Sequence, residues 1–136
     1  MVNYDDVFNQ SMHRVLGNGA YNPAFIRSFY DVFLKTSPAV AEKFANTDMS
    51  AQRTMLHDSL LIMVDFNRTR VPTPALAKLA AVHSRRQQDI PPSFYDLWLE
   101  SLVEAVREHD PDFSVEVELA WRIALAPGIS FMRFGY

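Results

Sequence analysis

Apolar residues recur along this chain every three or four positions, which is the period of one face of an α-helix. Short runs rich in proline or glycine separate the periodic segments. The predicted helices run in order from about Asn3 to Leu16, from Asn22-Pro23, from Ser37-Pro38 to Phe44, from Ser50 to Phe66, after Pro74 with His83, from Pro92 to His109, and from Ser114 onward. Glycine is scarce and no β-branched residues alternate, so we predict an all-α protein of about seven helices, one of them very short.

Composition narrows the class of protein. A chain of 136 residues is about the size of one domain, and we take residues 1–136 as that domain. It has no cysteine, which excludes a disulfide framework and a thiolate metal site and is compatible with a reducing cytoplasm. The net charge of -3 argues against a nucleic-acid partner. The longest apolar run, Leu60 to Val64, is too short to span a bilayer. We therefore expect a cytoplasmic protein with neither nucleic acid nor membrane as its partner.

Three polar residues fall on helix faces that are otherwise apolar: Tyr30, Gln52 and His83. Each has an ordinary structural explanation, namely a tyrosine bonded to a carbonyl, a glutamine facing water at a helix start, and a histidine bonded in the core. Taken together they describe a pocket with one strong Lewis base on one side and two hydrogen-bond donors on the other. Such a pocket suits a metal complex that carries an exchangeable small ligand.

The order of these landmarks resembles that of a globin. The segments are FYDVFLKTSPAVAEKF, AQRTMLHDSL and LAKLAAVH, followed by IPPSFYDLWLESLVEAVREHDPDF and EVELAWRIALAPGI, which resemble the last two helices of that family. The chain is most similar to bacterial single-domain globins and to the globin domain of flavohaemoglobins. The resemblance implies a globin fold around a pocket for haem b, which is iron protoporphyrin IX.

The resemblance also implies a role for individual residues. His83 would be the proximal ligand of the iron, and Phe44 would stack on the porphyrin. Tyr30 and Gln52 would be the distal hydrogen-bond donors, with the apolar Leu56 beside the bound gas. The remaining positions implied for the pocket are Tyr95, which would contact the proximal histidine, and the walls Leu79, Ile90 and Trp98.

The implied function is reversible binding of dioxygen, carbon monoxide and nitric oxide, for oxygen transport or nitric oxide dioxygenation. Two departures from flavohaemoglobins bear on the second activity. The chain ends at Tyr136 with no reductase region, and SFMRFGY lacks the glutamate that bonds the proximal histidine there. A separate reductase would have to supply electrons. The alternatives are a gas or redox sensor and a haem-free, globin-like interaction module. The protein would be a monomer or a homodimer, with an exposed face on the last two helices available to the dimer.

The other histidines are expected to lie outside the pocket. His57 follows Leu56 by about 100° around the helix, so it should point away from the iron, although a shift in register would make it a rival ligand. His109 lies in a charged turn and is expected to be exposed. For the haem propionates the candidates are Arg86 and Arg53, because they lie at the ends of the helices that line the pocket.

Overall fold

The computed structural model describes residues 1–17 and 21–136. These residues form seven α-helices and no strand, as the sequence predicts. The helices are α1 (Tyr4–Leu16), α2 (Pro23–Phe33), α3 (Pro38–Lys43), α4 (Met49–Thr69), α5 (Pro74–His83), α6 (Phe94–His109) and α7 (Val115–Phe134). None of these helices is both long enough and apolar enough to cross a membrane.

Most helix starts lie where the capping residues predict them. The side chains of Asn22, Ser37 and Ser114 each accept a hydrogen bond from a backbone amide in the first turn of the helix they precede. The prediction that Ser50 caps α4 is wrong, because the carboxylate of Asp48 accepts from the amides of residues 50 and 51. Asp48 therefore starts α4 at Met49, and Ser50 already belongs to the first helical turn.

The end of α4 and the start of α6 depart from the prediction. The helix expected to stop at Phe66 continues to Thr69 and ends on Arg70, a non-glycine residue with a φ of 57°. The expected start of α6 at Pro92 is also wrong, since Pro92 lies in a turn and the helix begins at Phe94. Gly17 ends α1 in the left-handed conformation as expected, whereas Asn18 and Gly19 lie outside the described residues.

Helix α7 is the central element of the packing. It contacts α1 along one side and α4 along another, while α2 packs on α6. The α4 backbone comes close to α7 at Gly128, where an added Cβ would lie 2.8 Å from Cε and 3.0 Å from Cβ of Met63. Glycine is required here for close approach, because a side chain would push Met63 and α4 away. Trp121, Phe25 and Phe29 fill the centre of the core.

The buried carboxylate of Asp110 links the end of α6 to α1 and, through Ser11, to α7. Asp110, at the end of α6, accepts two hydrogen bonds from the guanidinium of Arg14, at 2.6 and 2.9 Å, and one from the hydroxyl of Ser11, at 2.6 Å. The indole of Trp121 donates to the same hydroxyl at 2.9 Å. Burial would raise the pKa of Asp110, but the bonds from Arg14 and Ser11 outweigh it and hold that pKa below its ordinary value. The sequence showed Asp110 only as a helix stop.

Replacing Asp110 by Asn should lower the free energy of unfolding by about 2–3 kcal/mol at neutral pH, because Arg14 and Ser11 lose a charged acceptor. The folded pKa is depressed, so the stabilisation is present above the ordinary value of 3.8 and is lost as pH falls through the folded pKa. Urea unfolding between pH 7 and pH 2.5 measures both effects. Asp112→Asn is the control, since that exposed carboxylate lies 3.6 Å from Arg14. Equal effects of the two substitutions would contradict the assignment.

Candidate functional site

A largely apolar cavity of about 100 Å³ opens between α2, α4, α5 and α6. Arg86 and Arg53, the propionate candidates, are not among the residues that line this cavity. The nine residues predicted for the iron, the bound gas and the pocket walls all line it: Tyr30, Phe44, Gln52, Leu56, Leu79, His83, Ile90, Tyr95 and Trp98. The fold therefore brings together side chains from four helices, α2, α4, α5 and α6, and from two of their connections.

His83 is the basic group in the cavity wall and the last residue of α5. Its Nδ1 lies 2.8 Å from the carbonyl oxygen of Leu79, one helical turn earlier. A carbonyl can only accept, so the ring proton lies on Nδ1 and the lone pair lies on Nε2. Burial lowers the pKa of His83, against the smaller effect of the bond to Leu79. At neutral pH the side chain is therefore a neutral imidazole, which is the form that ligates metals.

Tyr30 and Gln52 form a hydrogen-bonded pair in the same cavity. The amide nitrogen of Gln52 donates to the hydroxyl oxygen of Tyr30 at 3.2 Å, and that hydroxyl lies 3.4 Å from the backbone carbonyl of Gln52. Burial raises the pKa of Tyr30 to about 12, although the bond from Gln52 acts in the opposite direction. Tyr30 therefore keeps its proton throughout the physiological range, and its hydroxyl can donate to a third group that enters the cavity.

Aromatic rings shape the space around these polar groups. Phe44 caps the C-terminus of α3, and its ring lies edge-on to Tyr30 and Phe33 with centroids 6.0 and 5.9 Å away. Trp98 meets Phe29 in the same manner, at 5.9 Å. Rings that interlock edge to face hold one another in place. The cavity thus offers flat, rigid, apolar surfaces to a ligand.

Tyr95 lines the cavity together with His83, but the hydrogen bond on the histidine goes elsewhere. Within the described chain the Nδ1 of His83 is bonded to the carbonyl of Leu79, and no hydrogen bond joins it to the hydroxyl of Tyr95. Burial raises the pKa of Tyr95 to about 12, so its hydroxyl is neutral as well. A neutral backbone carbonyl is a weaker acceptor than a carboxylate would be.

Several lining residues were not predicted: Phe33, Met55, Ser59, Met63, Phe94 and Met132. The positions of two of them could have been predicted from the helical period. Ser59 follows Gln52 by seven residues, and Met63 lies on the same face of α4. Met55 is exposed and lies where the cavity opens to solvent. Met132 reaches the cavity from the last turns of α7, and only the packing of α7 on the other helices could reveal that.

The other histidines lie outside the cavity. His57 has its Nδ1 3.3 Å from the carboxylate of Asp58 and its ring edge-on to Tyr21. The expected exposure of His109 is wrong: it is half-buried, its Nε2 lies 2.7 Å from the hydroxyl of Ser28, and its ring meets Phe25 edge-on. In the described ranges no group of three or more His, Asp or Glu side chains could hold a bare metal ion.

The loop that follows His83, residues 84–90, is held from two sides. The ring of Tyr136 lies under the guanidinium of Arg85, 4.9 Å away, and its hydroxyl donates to the carboxylate of Asp89. On the other side the ammonium of Lys43 donates to the carbonyl of Gln88 at 3.1 Å. Asp89 has a φ of 50°, a conformation that needs support in a residue with a side chain. These contacts fix the segment that connects His83 to Ile90.

Comparison with known proteins agrees with this geometry. The model of the globin family matches residues 27–130, which is most of the chain. The chain therefore belongs to the globin family. A crystal structure from Pseudomonas aeruginosa PAO1, of a protein described as structurally highly homologous to a human hemoglobin, is similar with 38% identity and a TM-score of 0.89 over 98% of each chain. A search of curated proteins gives no significant match.

Tyr136→Phe should loosen residues 84–90, because it removes the bond to Asp89 and leaves the ring under Arg85. We expect roughly threefold faster amide hydrogen exchange in this loop, and roughly tenfold for Tyr136→Ala. Exchange measured on peptides covering residues 84–90 tests this. Asp89→Asn serves as the matched variant: if both substitutions weaken one bond, their combined effect will be smaller than the sum. An unchanged exchange rate in Tyr136→Ala would refute the role of Tyr136.

Proposed function

We propose that this protein binds haem b with His83 as the iron ligand and reversibly binds dioxygen and other diatomic gases. The observation that carries the proposal is the pairing, within one aromatic cavity, of a neutral imidazole with the donors Tyr30 and Gln52. Membership of the globin family, whose cofactor is haem, supports it. The chain has no cysteine, so a thioether bond to the haem is excluded.

The cavity fits such a group by its chemistry. A porphyrin is flat and apolar over most of its area, and the walls are flat aromatic and aliphatic side chains. Its iron needs a neutral nitrogen ligand, and the bond from Nδ1 of His83 to Leu79 leaves Nε2 with a free lone pair. A haem bound here would supply a metal centre with a vacant coordination position for a diatomic gas.

The protein's own contribution is selection among gases. A haem in this cavity would polarise dioxygen towards negative charge and would leave carbon monoxide nearly neutral. A protonated Tyr30 and the amide of Gln52 stabilise the former more, because a hydrogen bond strengthens with the charge on its acceptor. The apolar Leu56 excludes water beside them. The pair therefore favours dioxygen over carbon monoxide.

Lys43 is a further candidate for a haem propionate, beside Arg86 and Arg53. Its ammonium donates to the carbonyl of Gln88, two residues before Ile90, and Lys43 itself precedes Phe44; both Phe44 and Ile90 line the cavity. A neutral carbonyl is an easily exchanged partner for a cation, and a carboxylate would be a stronger one. Arg86 is exposed in the loop after His83.

Oxidation of nitric oxide is also part of the proposal: a haem held by His83 would supply the redox chemistry, and a separate reductase would supply the electrons. Dioxygen, nitric oxide and carbon monoxide are then the small partners, and the cytoplasm is the compartment in which a reductase would be available. No contact among the described residues favours the sensor or the haem-free module over gas binding.

Haem binding is tested by adding haemin to the purified protein and recording the visible spectrum. The wild type should show a sharp Soret band and, when reduced without gas, one broad visible band that splits with carbon monoxide. His83→Ala should lose this spectrum and regain it with added imidazole, since only the axial ligand is missing. His57→Ala is the control and should match the wild type. Split visible bands in the gas-free reduced protein would identify a second internal ligand, and no Soret band would reject haem binding.

The role of the donor pair is tested by Tyr30→Phe and Gln52→Leu. Each should speed dioxygen dissociation by about 10- to 100-fold, since a bond to a partly charged acceptor is lost, and should leave carbon monoxide dissociation within about threefold. Stopped-flow displacement measures both rates. Ser59→Ala, in the same cavity wall, is the matched control. Equal acceleration of both gases would indicate a wider pocket instead of lost hydrogen bonds.

A further inference from the structure

Helices α1 and α4 both pack on α7 and contact each other little, which leaves a second cavity between them. We name it the α1–α4 cleft. It encloses about 220 Å³ and shares no residue with the aromatic cavity. Its lining comes from these two helices alone: Asp5, Phe8, Asn9, Val64, Asn67 and Arg68.

The floor of the α1–α4 cleft is apolar and rigid. Phe8 is only 3% exposed and Val64 4%, so both belong to the core. The ring of Phe8 lies edge-on to Trp121, with centroids 4.8 Å apart, which holds it in place. The other lining residues are all polar. An apolar base under a few convergent polar groups is the usual composition of a small-molecule site.

The hydrogen-bond donors of the rim are oriented by two arginines. Arg68 donates to Oδ1 of Asn9 at 3.2 Å and so links α4 to α1 at the cleft. Arg70 donates to Oδ1 of Asn67, also at 3.2 Å. Because each amide oxygen already accepts a bond, the Nδ2 group of each asparagine is left to donate. With the remaining N–H groups of Arg68, these amides form a donor set that suits a carboxylate.

Asp5 brings the opposite charge to the same cleft. It lies one helical turn before Asn9, so about 6 Å of helix rise separates the two residues. In residues 1–17 and 21–136, the carboxylate of Asp5 and the guanidinium of Arg68 form no ion pair with each other, although both line the cleft. A ligand can therefore meet both charges without first breaking an internal ion pair.

We propose that the α1–α4 cleft binds a small zwitterion of the α-amino acid class. The ammonium of the ligand binds Asp5, its carboxylate accepts from Arg68 and the two asparagine amides, and an aliphatic side chain lies on the apolar floor. A simple anion would leave Asp5 unpaired beside it, and a simple cation would leave Arg68 without a carboxylate. A zwitterion with closely spaced charges satisfies both.

The proposed binding is weak and independent of the haem. Asp5 and Arg68 are exposed to water, where each ion pair contributes little, so we expect a Kd in roughly the millimolar range. Because the cleft and the aromatic cavity have no lining residue in common, amino acid binding does not rest on the proposed function.

A titration of isotope-labelled protein with L-leucine tests the cleft, with the side-chain amide resonances of Asn9 and Asn67 as the readout. These resonances should shift saturably. N-acetyl-L-leucine lacks the ammonium and L-leucinamide lacks the carboxylate, so each should bind at least roughly tenfold more weakly. Equally tight binding of either analogue would show a site for a single charge and overturn the proposal. So would the absence of a saturable shift at about 50 mM L-leucine.

Substitutions at the two charges assign the contacts. Asp5→Asn and Arg68→Gln should each weaken L-leucine binding at least roughly tenfold, because each removes the partner of one ligand charge. The control for the first is Asp6→Asn, an exposed carboxylate in the same helical turn, and for the second Arg27→Gln, an exposed arginine on α2; neither residue lines the cleft. Circular dichroism verifies that all four variants fold. Equal weakening by a variant and its control would refute the assignment.

Discussion

The hydrogen bond from the imidazole of His83 to the carbonyl of Leu79 is the constraint on which the site depends. It turns a half-buried titratable group into a neutral ring with a fixed tautomer, because the carbonyl can only accept and burial disfavours the cation. Since the acceptor belongs to the same helix, the orientation of His83 follows from α5 being helical as far as its last residue. The loop over residues 84–90 then turns back, and the amide of Ile90 donates to the carbonyl of His83 at 3.1 Å.

The rest of the fold places the donors relative to this base. Helix α4 carries Gln52, and its distance from α7 is set where Gly128 admits Met63. Helix α2 carries Tyr30 and is held on α6 by a row of aromatic side chains. The bidentate bond between Arg14 and Asp110 fixes α1 against the end of α6. Because two donors act only when their relative positions are fixed, the stability of the core and the chemistry of the cavity have the same source.

The sequence revealed what short-range patterns encode and little of what depends on partners distant in the chain. The apolar period predicted the seven helices, and Tyr30, Gln52 and His83 stood out as polar residues on apolar faces. Their roles remain predictions, although they line one cavity. The network of Asp110, the bond between His109 and Ser28 and the contact of Tyr136 with Asp89 join residues at least 47 positions apart, and no periodicity marks them. Asp48 and Ser50 are equally good helix caps by residue type, so the sequence does not decide between them. The structure shows that Asp48 caps α4.

Helix α7 shows how one element can serve two surfaces with different requirements. Its inner side must be apolar, because it packs between α1 and α4 and sends Met132 into the cavity. Nothing in the monomer requires its outer side to be apolar as well, and α6 shows that an outward helix face of this protein can be fully charged. Solvation of an isolated chain would favour charges at Leu119 and Ile123. Leu119 and Ile123 are therefore the part of α7 that the packing of the monomer does not explain.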